Sequence, residues 1–210
     1  MKRNLFLGII VGLALISCTT EGNKPDTHAA HQATEAATQA ANSAISDLSV
    51  YNLDTDWTNQ QGEPLKLPQL QGKIQLVAMV YTSCTYACPR IVSDLKRIEV
   101  SLEKYRKEDV GIVLVTMDPE RDTPAQLKAF ASENGLDPAR WVLLTSKQEN
   151  IQELAVLLNM KYKNEGNGNI AHSNIISVLN PAGEIIHQQE GLGAEPDETI
   201  KAIDALLQRI

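Results

Sequence analysis

The sequence has few cysteines, few cations and no long hydrophobic run, and each shortage excludes a class of protein. Three cysteines in 210 residues are too few for a scaffold held together by disulfides. Lys and Arg number 19 against 26 Asp and Glu, whereas a nucleic-acid-binding surface needs a surplus of cations. The longest apolar run, residues 5–16, is shorter than the roughly 20 residues that span a bilayer. A composition of 43% hydrophobic and 21% charged residues is typical of a soluble, globular, single-domain protein.

The first 17 residues have the features of a secretory signal peptide. Lys2 and Arg3 supply a positive start, and the apolar run follows them. Residues 15–18 (LISC) resemble the lipobox of bacterial lipoproteins, in which the cysteine is acylated and becomes the first mature residue. The resemblance implies that Cys18 carries a lipid and anchors the protein in the bacterial cell envelope, facing the periplasm or the exterior. Loss of Lys2 and Arg3 would change the net charge from −7 to −9. An ordinary signal peptide with a cysteine nearby is the alternative.

Residues 18–49 are predicted to form a flexible tether between the lipid and a folded domain. Residues 19–49 contain no aromatic side chain and are rich in Ala, Thr, Gln and Asn, so they bury too little apolar surface to fold. His28 and His31 lie in this segment, and two solvated histidines are a simpler interpretation than a metal site. Residues 50–210 are predicted to form one domain.

Hydrophobic patterns in residues 50–210 alternate between strands and helices. Apolar runs rich in Val and Ile predict buried strands over residues 73–81 and 111–117, with a shorter strand over 141–144. The remaining predicted elements are a strand and turn near Trp57, helices over 89–105, 123–130, 148–158 and 196–207, a Gly/Asn loop over 163–169, and hairpin strands over 174–179 and 184–188. This order predicts an α/β protein with a thioredoxin-like fold, in which helices flank a central mixed sheet.

Cys84 and Cys88 directly follow the central predicted strand and lie at the start of its helix, which has Pro89 in its first turn. A helix N-terminus favours a thiolate, the form that reacts and binds metals. Three residues separate the cysteines, whereas thioredoxin-type redox motifs have two. This spacing permits a disulfide and also leaves space for a metal ion between the sulfurs. Two thiolates favour Cu(I) or zinc, and His172, between the loop and a core strand, is the candidate third ligand.

Three segments resemble motifs of the Sco/SenC family. Residues 81–89 (YTSCTYACP) contain its CxxxCP motif, residues 115–124 (VTMDPERDTP) match its VTxDPxRDTP segment, and residues 171–173 (AHS) stand where it has a histidine. The resemblance covers residues 50–210 and implies a membrane-anchored copper protein of thioredoxin fold. Such a protein delivers copper to the Cu(A) subunit of cytochrome c oxidase or another acceptor, or keeps the Cu(A) cysteines reduced.

The resemblance also implies roles for individual residues. Cys84, Cys88 and His172 become the ligands of copper, as Cu(I) or Cu(II), and Asp118 becomes a supporting carboxylate. Two features differ from many members of the family: Ala171 replaces an aspartate, and the residues between the cysteines are TYA rather than a Pro-Asp sequence. A metallochaperone is therefore expected, with Cys84 and Cys88 able to cycle between dithiol and disulfide.

Several alternatives stay open. The cysteine pair without metal suits an extracytoplasmic thiol–disulfide reductase, although a generic thioredoxin-like reductase has a proline just before the late strand, where His172 and its neighbour stand. A peroxiredoxin-like peroxidase shares the TxxC pattern but has a proline at the position of Tyr81. A purely structural disulfide is a further alternative. Asp122 or Thr123 ahead of Pro124 fits a helix N-cap as well as a functional segment.

Three other side chains that can bind metals have simpler interpretations. His187 lies within a predicted strand between polar residues and is expected to be an exposed strand histidine. Met79 and Met117 lie in buried apolar segments and are expected to be core residues.

Overall fold

The computed structural model describes residues 46–165 and 170–208, which belong to one compact unit, Ala44–Ile210. Several predictions therefore lie outside the described residues: the signal peptide, the tether up to residue 45, Cys18, His28 and His31.

Nine strands form the sheets of the described residues. They are β1 (Trp57–Asn59), β2 (Pro64–Leu65), β3 (Ile74–Val80), β4 (Val110–Thr116), β5 (Trp141–Thr145), β6 (Tyr162–Asn164), β7 (Ile170–His172), β8 (Ile175–Leu179) and β9 (Ile185–Glu190). Seven of them form one sheet in the order β2-β1-β5-β4-β3-β8-β9, and β6 pairs with β7 separately.

β3 and β4 lie in the middle of the sheet because their sequences are apolar along almost their whole length. All seven residues of each strand are buried, as expected for strands covered on both faces. The two strands are parallel, with Leu76 opposite Ile112, and β5 is parallel to β4. β8 is antiparallel to β3, and β9 is antiparallel to β8. The predicted mixed sheet of a thioredoxin-like fold is confirmed.

Four α-helices of the described residues flank this sheet: α1 (Ala87–Ser101), α2 (Pro124–Glu133), α3 (Gln148–Leu157) and α4 (Asp197–Leu207). Ile91, Leu95 and Ile98 of α1 are buried at the helical spacing that the sequence shows. α1 ends four residues earlier than predicted, since the N–H of Leu102 donates to the Glu99 carbonyl and tightens the last turn.

The hairpin between β8 and β9 requires a glycine at its turn. Gly183 has a φ of +88°, a left-handed conformation that side chains disfavour. A Cβ added there would lie 2.4 Å from the Tyr51 ring, because the short helix Val50–Asn52 packs against the turn. The predicted turn over residues 180–183 is confirmed.

The predicted loop over residues 163–169 is partly wrong. Residues 162–164 form β6, which pairs antiparallel with β7, so that Tyr162 lies opposite His172. Strands of only three residues are too short to show hydrophobic alternation, so periodicity does not predict them. His172, predicted to lie between this loop and a core strand, is the last residue of β7.

Met79 and Met117 are buried, as their core interpretation predicts. Within residues 46–165 and 170–208, no helix has both the length and the apolar character needed to cross a membrane.

Candidate metal centre

The cysteine pair lies where the chain leaves β3 and enters α1. Cys84 is half-buried in the connecting loop, whereas Cys88, in the first turn of α1, is fully buried. The backbone N–H of Cys88 donates to the Sγ atom of Cys84 over 3.3 Å. Both cysteines are free thiols. The helix start therefore supplies a hydrogen-bond donor to the more exposed sulfur, as the sequence predicts.

Tyr81, the residue after β3, contacts every part of the site. Its backbone N–H donates to the Sγ atom of Cys88 over 3.4 Å. Its hydroxyl accepts a hydrogen bond from the backbone N–H of Ile170 over 3.4 Å, which links it to the start of β7. Its ring meets the His172 ring edge-on, with centroids 6.1 Å apart. Sequence reasoning missed this role, and the one available signal was the place of Tyr81 at the end of the predicted strand, three residues before Cys84.

His172 reaches the cysteines from the end of β7. Its Nδ1 atom lies 2.9 Å from the Ser173 carbonyl, which can only accept, so Nδ1 carries the hydrogen. Nε2 is then the ring nitrogen with a free lone pair. In metal sites, a hydrogen bond from the other ring nitrogen, such as the one from Nδ1 to Ser173, orients the imidazole ligand. The ligand atoms of Cys84, Cys88 and His172 all lie within 4.8 Å of one another.

The two thiols have opposite electrostatic environments. Partial burial raises the pKa of Cys84, but hydrogen bonds from Cys88, from the Tyr86 backbone and from the Tyr81 hydroxyl outweigh this effect and hold the pKa below its ordinary value. Burial raises the pKa of Cys88 strongly, and the charges of Cys84 and Asp122 raise it further. Cys84 is therefore the thiol that ionises first, and its half-exposed sulfur is the more reactive one.

A surface cleft of about 420 Å³ opens onto the site. Cys84 and His172 line it, together with Tyr81, Tyr86 and Glu165. Tyr86 is 67% exposed, and the guanidinium carbon of Arg90 lies 4.9 Å from the centroid of its ring. A partner or a small ligand can therefore reach Cys84 and His172 from solvent, whereas Cys88 lies behind them.

The segment after β4 contains three residues with different contacts: Asp118, Asp122 and Thr123. Asp118 forms an ion pair with Arg121 and lines a different cavity, beside β6, so its supporting role stays a prediction. Asp122 is fully buried and accepts hydrogen bonds from Thr82, two residues before Cys84. Thr123 is the N-cap of α2, where its hydroxyl accepts from the N–H of Gln126 over 3.3 Å. Of the two capping candidates the structure selects Thr123, which leaves Asp122 beneath the cysteine loop.

His187 lies in β9, as predicted, but it is half-buried rather than exposed. Its Nε2 atom lies 3.1 Å from the hydroxyl of Thr199, because α4 packs over this strand. It does not belong to the Cys–Cys–His group that the described residues form.

Two thiols and one imidazole can hold a metal ion, and this set of ligands suits soft ions. The same two thiols can also exchange with disulfides, since Cys84 is accessible and Cys88 is next to it. Fold and site together define a thioredoxin-like protein with a Cys–Cys–His group that can hold a metal ion. Residues 49–208 match the SCO1/SenC family, and the chain belongs to this family. The family assignment predicted from the three motifs is confirmed.

Two curated relatives show the extent of the similarity. The chain is 30% identical over 145 residues to the "SCO1 protein homolog" of Bacillus subtilis (strain 168), a match that covers 68% of this chain and 75% of that protein. It is 29% identical over 131 residues to a "Putative copper-binding protein" of Stutzerimonas stutzeri, with 60% of this chain and 63% of that protein covered.

Solved structures share the fold. A "SCO1/SenC family lipoprotein from Bacillus anthracis str. Ames" superposes with a TM-score of 0.67 at 25% identity, covering 72% of this chain and 92% of that chain. A second structure superposes with a TM-score of 0.65 at 26% identity, covering 73% and 91%. Its description names "a disulfide switch in BsSco, a member of the Sco family of cytochrome c oxidase assembly proteins".

Proposed function

We propose that this protein binds copper through Cys84, Cys88 and His172 and serves the assembly of the Cu(A) site of cytochrome c oxidase. The observation that carries the proposal is the convergence of these three ligand atoms within 4.8 Å at the mouth of a cleft. Two thiolates select Cu(I) over hard ions, and an imidazole completes a three-coordinate site. The similarity to a protein named for copper binding supports the choice of copper over zinc.

Copper is the cargo in this proposal, and the shape of the site suits its transfer. Cys84 and His172 face the cleft, whereas Cys88 is buried. An acceptor thiolate can therefore replace the exposed ligands one at a time while Cys88 still holds the ion. The acceptor is the Cu(A) subunit of the oxidase or another copper-accepting protein. Oxidase assembly is the role named for the related family member.

The anchoring proposal concerns residues outside the described ranges. A lipid on Cys18, in the LISC sequence, would hold the domain at the membrane of the bacterial cell envelope, on a tether that ends near residue 49. The similarity to a structure described as a lipoprotein supports this location. Replacing Cys18 with serine should move the protein from the membrane fraction to the soluble fraction of cells. An unchanged distribution would contradict lipid anchoring.

A Cu(I) titration of the reduced domain tests the copper proposal. With a chromophoric competitor, the parent should bind one Cu(I), C84S and C88S should lose competitive binding, and H172A should bind about 10- to 100-fold more weakly. The half-buried His187 supplies a matched control, because H187A removes an imidazole of the same domain outside the site and should bind like the parent. H172A binding as tightly as the parent would refute the ligand set.

Thiol–disulfide reduction is the second candidate, favoured by one observation. Cys84 is accessible in the cleft and Cys88 lies buried behind it, an arrangement in which one thiol attacks a substrate disulfide and the other resolves the mixed disulfide. The same preparations distinguish the candidates. A parent that binds no Cu(I) but reduces a protein disulfide with turnover, in a manner abolished by C84S, would replace copper binding with this activity.

A further inference from the structure

Asp122 is a fully buried carboxylate that belongs to no ligand set or helix cap. Its side chain lies in the turn between β4 and α2. A buried carboxylate is unfavourable unless it is hydrogen-bonded, and here three donors face it. Oδ2 accepts from the backbone N–H of Thr82 at 3.0 Å and from the hydroxyl of Thr116 at 2.5 Å. Oδ1 accepts from the hydroxyl of Thr82 at 2.5 Å.

The hydrogen bonds to Thr82 reach Cys84 through a single turn of backbone. The N–H of Cys84 donates to the Tyr81 carbonyl over 3.2 Å, which closes the turn around Thr82. The Sγ atom of Cys84 then meets the N–H of Cys88 over 3.3 Å. Whatever fixes Thr82 therefore fixes the position of the Cys84 sulfur relative to α1.

The other end of this connection lies at the buried end of a central strand. Thr116 is the last residue of β4, and the next N–H, that of Met117, donates to the Val80 carbonyl at the end of β3 over 2.8 Å. Asp122 thus joins the loop that bears Cys84 to the end of β4, which is itself hydrogen-bonded to the end of β3. Forty residues separate Asp122 from Thr82 in the chain.

We propose that Asp122 is a positioning residue for the metal centre, which fastens the loop bearing Cys84 to the end of β4 and so holds this ligand within reach of Cys88 and His172. The part of its test that measures copper affinity rests on the proposed function. Supporting residues of this kind, when replaced, lower metal affinity by about 10- to 100-fold.

Three variants separate the hydrogen bonds from the charge and from general stability. D122A removes all three hydrogen bonds. D122N keeps an acceptor oxygen for the Thr82 N–H and the Thr116 hydroxyl, and its amide can donate to the Thr82 hydroxyl, so the connection survives without the charge. The matched control is D94A. Asp94 is a second buried carboxylate, and it lies in α1. It accepts the backbone N–H of Gly193 over 2.8 Å and so binds a loop that carries none of the three proposed ligands.

Two readouts are measured on reduced protein that is folded by circular dichroism: the dissociation constant for Cu(I), and the hydrogen-exchange rate of the Cys84 amide without metal. D122A should weaken Cu(I) binding by about 10- to 100-fold and should accelerate exchange of the Cys84 amide by about tenfold or more. D122N and D94A should not weaken Cu(I) binding or accelerate Cys84 exchange by more than about threefold relative to the parent. The exchange measurement needs no copper, so a parent that fails to bind Cu(I) would refute the proposed function while the positioning role is still decided.

Three results would overturn the proposal: D122A matching the parent in both readouts, D122N losing as much as D122A, or D94A losing as much as D122A. If D122A does not fold, T82A decides instead. T82A removes the hydrogen bond to Oδ1 and leaves the backbone N–H in place, so a severalfold loss of affinity with faster Cys84 exchange is expected. Parent-like behaviour of T82A would then refute the positioning role.

Discussion

Replacing Tyr81 with phenylalanine removes one oxygen atom that contacts both halves of the metal centre. The hydroxyl accepts the buried N–H of Ile170 at the start of β7 over 3.4 Å. It also donates to the sulfur of Cys84 and thereby lowers the pKa of that thiol. Loss of the oxygen leaves the Ile170 N–H without this acceptor. A buried unsatisfied donor costs about 1–3 kcal/mol, and the long bond here places the cost near 1 kcal/mol.

A loss of about 1 kcal/mol should lower the melting temperature of a domain of this size by about 2–4 °C. The pKa of Cys84 should rise because its thiolate loses a donor, so alkylation of Cys84 at pH 7 should slow. Cu(I) affinity should fall by about tenfold, since no hydroxyl then accepts the Ile170 N–H and holds β7, and with it His172, in place. Differential scanning calorimetry, iodoacetamide labelling with mass spectrometry and competitive Cu(I) titration measure the three effects.

Tyr51 provides the matched control. It is also buried, and its hydroxyl donates to the Leu70 carbonyl over the same 3.4 Å, in a region that contains none of the three ligands. Y51F should lower the melting temperature by a similar or smaller amount and leave Cys84 alkylation and copper affinity unchanged. If Y81F and Y51F do not differ in alkylation rate or in copper affinity, the role assigned to Tyr81 is wrong.

Two further predictions concern thiol ionisation and the β8–β9 turn. Because hydrogen bonds lower the pKa of Cys84, its thiolate fraction at pH 7 exceeds that of an ordinary cysteine, so its alkylation rate should reach half its maximum at a lower pH than that of an unperturbed cysteine thiol. Cys88, whose pKa burial raises, should be labelled far more slowly throughout; faster labelling of Cys88, measured by peptide mass spectrometry, would contradict the assignment. G183A should destabilise the domain by about 1–3 kcal/mol, because its Cβ would meet the Tyr51 ring in a left-handed conformation. A urea denaturation midpoint equal to that of the parent would show that the turn relaxes without cost.

The parts of the fold that the sequence predicts correctly are those with local signals. β3 and β4 are continuous apolar runs, and α1 shows a helical stripe of apolar residues, so both periodicity and order indicate a thioredoxin-like fold. β6 and β7 have no such signal, since each has only three residues and their partner strand is identified only in the folded structure.

The candidate site shows the same contrast between residues with a local sequence signal and residues without one. Cys84 and Cys88 are close in sequence, with three residues between them, and close in space, and His172 is predicted by its place before β8. The connections around them are not local: Tyr81 meets Ile170 across 89 residues, and Asp122 meets Thr82 across 40. Sequence patterns assign residues to elements, but only the packed structure shows which polar side chain lies beneath which loop.

X-ray absorption spectroscopy of the Cu(I)-loaded, reduced domain tests the central claim most directly. The proposed centre predicts a three-coordinate copper with two sulfur neighbours from Cys84 and Cys88 and one nitrogen neighbour from His172. H172A should lose the nitrogen neighbour and keep both sulfurs. A parent spectrum with sulfur neighbours alone, or one that H172A leaves unchanged, would contradict the proposed ligand set.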